Sequence, residues 1–356
     1  MSKPLVSVLI DTYNHERFIE QAILSVLEQD VAPAEMEVIV VDDGSTDGTP
    51  SVVRPFSPRV RYLRKANGGQ ASAFNTGIPE TQGEIVAFLD GDDWWEKGKL
   101  RAALDQLAKH PEVGAVGHGW YELYSGSQPH LMVVPERDYE LHLRTVADAH
   151  LFSQLCGYLG TSKLTIRKAV LGRILPIPEE IVTEADEYIF TLAPAIAPAI
   201  ILSQPLFYYR FHENNQFMIQ SDDPTRLRRR QASLEGLVRT LPGALSKLGL
   251  SPEVIKAVLE PTRVDAERMK LSLEGGKPWR TFAVERSSFC LAYTSVSFGY
   301  RVFKWWVLGL TLVIPPRWFY RLRKWYTAKG LRKLRRVLGE PRVAGPTIQT
   351  SIESRN

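Results

Sequence analysis

Cysteine is nearly missing from this sequence: Cys156 and Cys290 are the 2 present among 356 residues. Two thiols cannot build a disulfide framework, and their spacing suits no zinc site. Both read as small buried hydrophobes of a reducing compartment, which points to the cytoplasm. A charged opening followed by an apolar stretch is also lacking. Strand-like residues begin at Leu5, so a secretory leader is not expected. The apolar run after Lys304 stops after ten residues, well short of the roughly 20 that span a bilayer. Internal repeats and low-complexity tracts are lacking too, which excludes solenoids and disordered arrays. Acid is scarce from Arg301 to Arg342, where twelve Lys or Arg face the single carboxylate of Glu340. That net +11 leaves −7 for the remainder of a chain whose total is +4. A mildly acidic body with a basic tail suits a polyanionic partner, either a membrane surface or a nucleic acid.

What is present is an ordinary globular composition, 44% hydrophobic and 24% charged. The length predicts one substantial core with an appendage. Short β-rich runs occur at Val6–Ile10, Val38–Val41, Val60–Leu63 and Ile85–Leu89. Between the first two, Phe18, Ile19, Ala22, Ile23, Val26 and Leu27 are spaced for one apolar helix face. Continuous apolar strands alternating with helices predict a mostly parallel sheet covered on both faces. Ligands of such sheets lie beyond the carboxyl ends of the strands.

Polar residues follow the strands accordingly. They are Asp11-Thr12-Tyr13-Asn14, Asp42-Asp43-Gly44-Ser45-Thr46-Asp47 and Asp90-Gly91-Asp92-Asp93, with Asn67-Gly68-Gly69-Gln70 leading into a helix that holds Asn75. One such cluster would be a turn; four mark a site. The second cluster is also a helix N-cap signal, with Ser45 or Thr46 as the cap. Further on, Thr161–Arg167 and Ala199–Tyr209 read as strands and Glu184–Leu192 as a short helix. Helix formers then take over at Arg226–Leu241, Pro252–Leu259 and Thr262–Leu273. The expected division is a sheet domain at 1–220 that holds the site, a helical domain at 221–299 and a basic, aromatic-rich tail at 300–356.

The stretch IVAFLDGDDWW raises a physical question. Asp90, Asp92 and Asp93 repel one another at the end of a buried strand unless a cation joins them. Mg2+ or Mn2+ prefers carboxylate oxygens and is usually completed by substrate phosphates. The other reading is a turn with solvated acids. Taken together and in order, VSVLIDTYN, IVVDDGSTD, NGGQASAFNTG and GEIVAFLDGDDWW resemble the family 2 glycosyltransferases with their GT-A nucleotide-sugar domain. The resemblance covers residues 4–125 strongly and continues more loosely through TEADEYIF and LFYYRFHENN. The helical tail lies outside it.

The resemblance implies a GT-A fold: a Rossmann-like, mostly parallel mixed sheet flanked by helices, here with a C-terminal helical extension. It also implies an inverting, metal-dependent transfer from a nucleotide-sugar, a UDP-sugar by preference. The acceptor would be a hydroxyl of a lipid-linked or cell-surface glycan precursor in polysaccharide biosynthesis. The Gln-x-x-Arg-Trp motif of processive synthases is missing, since Ile314 stands three positions before Arg317, so single addition is expected. On matching positions, Asp90 and Asp92 form the DxD motif, Asp92 as direct ligand and Asp90 on the ribose or on the metal through water. Asp43 would accept the N3–H of the base while Tyr13 stacks on its ring, with Thr12, Asn14, Asn67 and Asn75 on the same nucleotide side.

The catalytic base falls to Asp186, then Glu184, although Ala185 stands where an acid is common. Acids at a helix N-terminus also suit the helix dipole without any catalytic task. Arg210, His212 and Trp94 fall on the acceptor or phosphate side. Asp11 stands where the family usually has Pro, and Phe74 where Arg is common.

In the tail, aromatic residues interleave with Arg and Lys as in a segment lying in a membrane interface. The other reading is a helix packing its Trp side on the catalytic domain. No base-stacking module accompanies the charge, so no nucleic acid partner is expected. A cytoplasmic protein at the inner face of the membrane follows. Two alternatives remain in view: a nucleotidyltransferase, which would favour a Gly-rich basic loop after the first strand, and a non-catalytic nucleotide-sugar-binding scaffold. A phosphatase would place its Asp-x-Asp after the first strand, whereas here it follows the fourth.

Overall fold

The computed structural model describes residues 3–124, 131–212, 223–292, 298–329 and 347–349. Apolar residues run without alternation through the first strands, which buries both faces of each. The opening elements are β1 (Val6–Thr12), α1 (Ile19–Leu27), β2 (Met36–Asp42), α2 (Thr49–Val53), β3 (Arg61–Arg64), α3 (Gln70–Glu80) and β4 (Ile85–Asp90). β1 lies between β2 and β4, parallel to both, and β3 extends the row beyond β2. The register sets Asp11 opposite Asp90 and Thr12 opposite Asp42. Three strand ends therefore open at one edge.

The sheet then turns mixed. β5 (Trp94–Trp95), α4 (Lys99–Lys109), β6 (Ala115–Tyr124), β7 (Leu131–Val134), β8 (Tyr139–Leu141), α5 (Val146–Leu155), β9 (Thr165–Arg167), α6 (Lys168–Ile174), α7 (Ala185–Ile196) and β10 (Ala199–Phe211) follow. β9 is antiparallel to β4 and β6, while β10 runs parallel to β6 and antiparallel to β5 and β8. Pairing of Tyr208 with Trp94 and Phe207 with Trp95 carries the end of β10 back to the acidic turn after β4. The expected strand over Thr161–Arg167 begins instead with a 3-10 turn, Thr161–Lys163.

The last elements are α8 (Pro224–Lys247), α9 (Pro252–Glu274), α10 (Pro278–Ala292), α11 (Phe298–Leu310), α12 (Pro316–Lys329) and β11 (Thr347–Gln349), which pairs antiparallel with β7. Two expected helices, Pro252–Leu259 and Thr262–Leu273, are one. Pro261 sits inside α9, where it costs about 3 kcal/mol through a lost hydrogen bond and a ring clash. Burial of Val254, Val258, Leu259, Val264 and Leu271 offsets that at roughly 1.5–3 kcal/mol per side chain. α8 likewise continues through Pro242. Leu234, Leu237, Val258 and Leu259 share one hydrophobic cluster with Ile177, Ile181, Ala185 and Tyr188, so α8 and α9 close the core beneath α7. The boundary expected near 220, and the basic residues Arg332, Lys333, Arg335 and Arg336, lie outside the described residues.

Glu187 marks this contact. Thr262 Oγ1 donates to Glu187 Oε1 at 2.6 Å. Removal from water, with Glu184 and Asp186 adding and the Thr262 bond opposing, pushes the carboxyl up to about 8. A carboxyl raised in the folded state contributes stability in acid that is lost as the pH rises through its folded value. Glu187→Gln is expected to raise stability at pH 8 by about 1–2 kcal/mol and leave it nearly unchanged at pH 5. Urea midpoints at the two pH values check this; an unchanged midpoint at pH 8 would show the charge to be neutralised by other means.

Candidate active site

The loops after β1 and β2 are stitched to each other. Asn14 adopts a left-handed conformation, φ 58°, which Asn tolerates better than most residues. In it, the Asn14 N–H donates to Ser45 Oγ at 2.9 Å and Asn14 Oδ1 accepts the Thr46 N–H at 2.8 Å. The N–H of His15 donates to Thr49 Oγ1, and that of Glu16 to Asp47 Oδ2. Neither Ser45 nor Thr46 caps a helix, contrary to the sequence expectation. α2 starts at Thr49, whose N–H Asp47 Oδ1 accepts at 3.0 Å.

Asp43 is tied to a loop. Its carboxylate accepts the N–H groups of Gly68 and Gly69 at 2.9 and 2.7 Å, the Lys65 ammonium at 2.7 Å and the Asn67 amide at 3.1 Å. It thereby shapes the 67–69 turn, where Gly69 has φ +84° and an added Cβ would lie 2.4 Å from Val182 O. Tyr13 is half-buried beside this corner. Asn75, expected on the nucleotide side, has both ends of its amide on Ile177: Nδ2 donates to the carbonyl and Oδ1 accepts the N–H, each at 2.8 Å. In this structure it pins α3 to the segment before α7.

Four carboxylates gather at the ends of β1 and β4. Asp11 and Asp90 face each other across the parallel pair. Burial, reinforced by Asp92, pushes Asp11 up to about 7, and one of its oxygens is buried without a hydrogen-bond partner. Burial, reinforced by Asp11, Asp93 and Asp92, raises Asp90 well above the carboxylate range. Asp93 is raised in the same way, by burial and then Asp92. Ser162 Oγ lies 2.7 Å from Asp93 Oδ2 and 3.2 Å from Asp90 Oδ2.

Asp92 differs. Burial opposes its charge as well, but His15 and His212 outweigh it and hold the carboxyl below its ordinary value. His212 Nε2 lies 2.9 Å and His15 Nε2 3.8 Å from Asp92 Oδ2. Thr12 Oγ1 holds the other face of the His15 ring, 3.2 Å from Nδ1. Gly91 lets this packing happen, since a Cβ there would fall 2.7 Å from Thr12 Oγ1 and 2.9 Å from His15 Nδ1. Of these four carboxyls, Asp92 is the one whose charged form its neighbours favour.

The acids of α7 approach from the other side. Asp186 Oδ2 accepts the Thr161 N–H at 3.0 Å. Gln70 ties the two sides together: its carbonyl accepts the Ala185 N–H at 2.9 Å, while its amide reaches Thr161 Oγ1 at 3.3 Å and Asp90 Oδ1 at 3.4 Å. Glu184 takes φ 60°, and Arg230 Nε of α8 donates to its Oε1 at 2.8 Å. Burial pushes Glu184 up to about 7 even so.

Comparison with known proteins decides the family. Residues 7–171 match the model for glycosyl transferase family 2. An uncharacterized glycosyltransferase of Nostoc sp. is 29% identical over 255 residues, 70% of this chain and 78% of that one. TuaG of Bacillus subtilis, a putative teichuronic acid biosynthesis glycosyltransferase, is 43% identical over 108 residues, 29% of this chain and 42% of its own length. S. aureus TarS 1-349, solved in complex with UDP-GlcNAc, shares the fold with a TM-score of 0.53 at 21% identity, over 80% of this chain and 88% of that one. Residues 7–171 belong to glycosyl transferase family 2. Its α/β sheet with flanking helices is the GT-A fold, and the protein is a glycosyltransferase.

In this family 2 glycosyltransferase, Arg210 lies between two rings, its guanidinium carbon 4.6 Å from the centroids of Phe18 and Trp94. Trp94 stacks on Tyr208 at 4.8 Å, and Tyr208 on Tyr121 at 4.9 Å. The Arg210 N–H also reaches Asp93 Oδ1 at 3.3 Å. The sequence-predicted Asp90, Asp92, Asp186, Arg210, His212 and Trp94 therefore share one neighbourhood, linked through Ser162, Gln70 and Asp93. His15, Arg230 and Lys163, whose ammonium feels Asp186, Asp93 and Asp90, are members that sequence reasoning did not assign to the site; Asp11 was grouped with it but given no role. A usable signal for His15 existed in its position four residues after the first acid; for Lys163 and Arg230 there was none.

Among the described residues, no group of three or more His, Cys, Asp or Glu is arranged to hold a metal ion. The chemistry of the donors still fits one. A hard cation is commonly held by one or two carboxylates and completed by phosphates. Asp92 with Asp90 supplies those oxygens, and the His212 nitrogen beside them is more congenial to Mn2+ than to Mg2+. The partnerless Asp11 oxygen lies at the same edge, and the raised neighbours reflect burial and mutual repulsion there.

Proposed function

We propose that the protein is an inverting, metal-dependent glycosyltransferase adding single sugars to a hydroxyl of a lipid-linked or cell-surface glycan precursor. The observation that carries this reading is the gathering of Asp11, Asp90, Asp92 and Asp93 at the ends of β1 and β4, with His212 and His15 closed on Asp92. A divalent cation at Asp92 and Asp90 would neutralise charge on the departing diphosphate.

The chain's own residues do the rest. Asp186, oriented through one oxygen by the Thr161 N–H, accepts the acceptor's proton with the other. Glu184 already holds Arg230, which favours Asp186 as the base. The acceptor hydroxyl attacks the anomeric carbon as the nucleoside diphosphate leaves from the opposite side, so no covalent sugar–enzyme bond forms. Tyr13 offers a stacking face to the base. Asp43 contributes by ordering the 67–69 turn with Asn67, while Thr12 and Asn14 brace the same corner. Arg210 brings positive charge to the diphosphate side, and His212 stands beside Asp92. TarS, which shares the fold, was solved with UDP-GlcNAc; this supports a UDP-sugar as the first donor to test. The acceptor places the protein at the cytoplasmic face of a membrane.

Calorimetric titration with UDP, GDP, CDP and dTDP, with Mn2+ and then with EDTA, tests the reading. One nucleotide is expected to bind at least about tenfold more tightly with metal, a gain of roughly 1.4 kcal/mol. Equal binding under both conditions would remove the metal from the mechanism.

A further inference from the structure

Of the 11 large hydrophobic side chains exposed among the described residues, eight lie between Trp279 and Leu322. α11 reverses the usual arrangement of a surface helix, which buries its apolar stripe. Val302, Trp305 and Trp306, at i, i+3 and i+4, face solvent, with Trp306 65% exposed, while Leu308 and Thr311 turn inward. The stripe continues into the turn before α12, where Leu312 is exposed and Val313 is 80% exposed. On α12, Trp318 and Leu322 share the exposed side with Arg321. The Arg321 guanidinium lies 5.8 Å from the Trp318 ring.

The hairpin is fastened by its other side. Glu285 of α10 accepts from Arg323 at 2.6 Å, from Arg268 of α9 at 2.9 Å and from Tyr320 at 3.3 Å. Arg317 Nε donates to Leu273 O at 3.0 Å, and Phe319 is buried. The aromatic side is therefore presented by a docked element, and an apolar surface of this kind marks an interaction site.

Charge selects the occupant. Residues 298–329 contain seven Lys or Arg and no acid, so two copies meeting through this face would set like charge against like. An anionic leaflet matches both features, with indoles at headgroup depth and basic groups on lipid phosphates. Among the described residues no helix is long and apolar enough to cross a membrane, which leaves the hairpin lying in the interface.

We propose that the α11–α12 hairpin is a surface anchor that seats Trp305, Trp306, Leu312, Val313 and Trp318 in an anionic lipid leaflet. The proposal specifies the membrane contact that a lipid-linked acceptor calls for, yet it rests on the hairpin alone and is measured without substrate. The full chain is sedimented with vesicles of phosphatidylcholine, alone and mixed with phosphatidylglycerol. Anionic vesicles are expected to bind on the order of tenfold more tightly. Trp306→Ser with Trp318→Ser should weaken that binding on the order of tenfold, and Arg321→Gln by roughly fivefold. These side chains are exposed, so urea midpoints should stay put, and calorimetric UDP binding reports the donor site independently. Anionic vesicles left unbound, or bound equally by the Trp variant, overturn the proposal. So does light scattering that shows a stable dimer dissociated by the Trp substitutions, which would assign the face to a second copy.

Discussion

Asp92→Asn is expected to lower kcat/KM by roughly 10³-fold or more and to erase the metal-dependent gain in nucleotide binding. The substitution keeps the shape of the side chain and removes its charge. That charge is the one the cluster preserves: His212 Nε2 stands 2.9 Å away and His15 Nε2 3.8 Å away. Asp93→Asn is the matched control. Burial and the Asp92 charge raise Asp93 well above the carboxylate range, so its carboxyl is the less disposed to ionise, and the amide keeps a polar group facing Ser162. Its activity should fall by less than about tenfold, since the substitution removes less charge beside the site than Asp92→Asn does. Steady-state kinetics and calorimetry on the pair decide the matter. Equal damage from both substitutions would place the essential charge on the cluster as a whole.

The second large effect belongs to Asp186. Asp186→Asn should reduce kcat by about 10²–10⁴-fold, the usual worth of a positioned general base, with donor affinity within about twofold of the parent. The amide still accepts the Thr161 N–H through its oxygen, which isolates the loss of basicity from loss of position. Glu184→Gln, next to the Arg230 contact, should cost kcat far less. If Glu184→Gln abolishes turnover while Asp186→Asn spares it, the base is Glu184 and Asp186 is the helix-terminal acid.

The strands were legible because their signal is local. Val6–Ile10 and Ile85–Leu89 are continuous apolar runs, and each lies inside an observed strand, Val6–Thr12 and Ile85–Asp90. Proline misled the reading of α9, because a local breaker signal was weighed without the tertiary burial that carries the helix through Pro261. The Ser45 and Thr46 cap failed for a related reason. A hydroxyl that could cap its own helix is instead claimed by Asn14 from another loop.

By itself, then, the sequence determined the alternation of strand and helix, the edge at which polar residues collect, and the excess of negative charge after the fourth strand. These follow from side-chain periodicity and from where chains leave a sheet, properties contained within a few residues. The tertiary structure alone decided that Asp11 lies across from Asp90, that His15 and His212 close on Asp92, and that Arg230 of α8 holds Glu184. Those pairings join residues that are far apart in the chain. Strand order and register create them, and both are set cooperatively by backbone hydrogen bonding and core packing across the whole sheet.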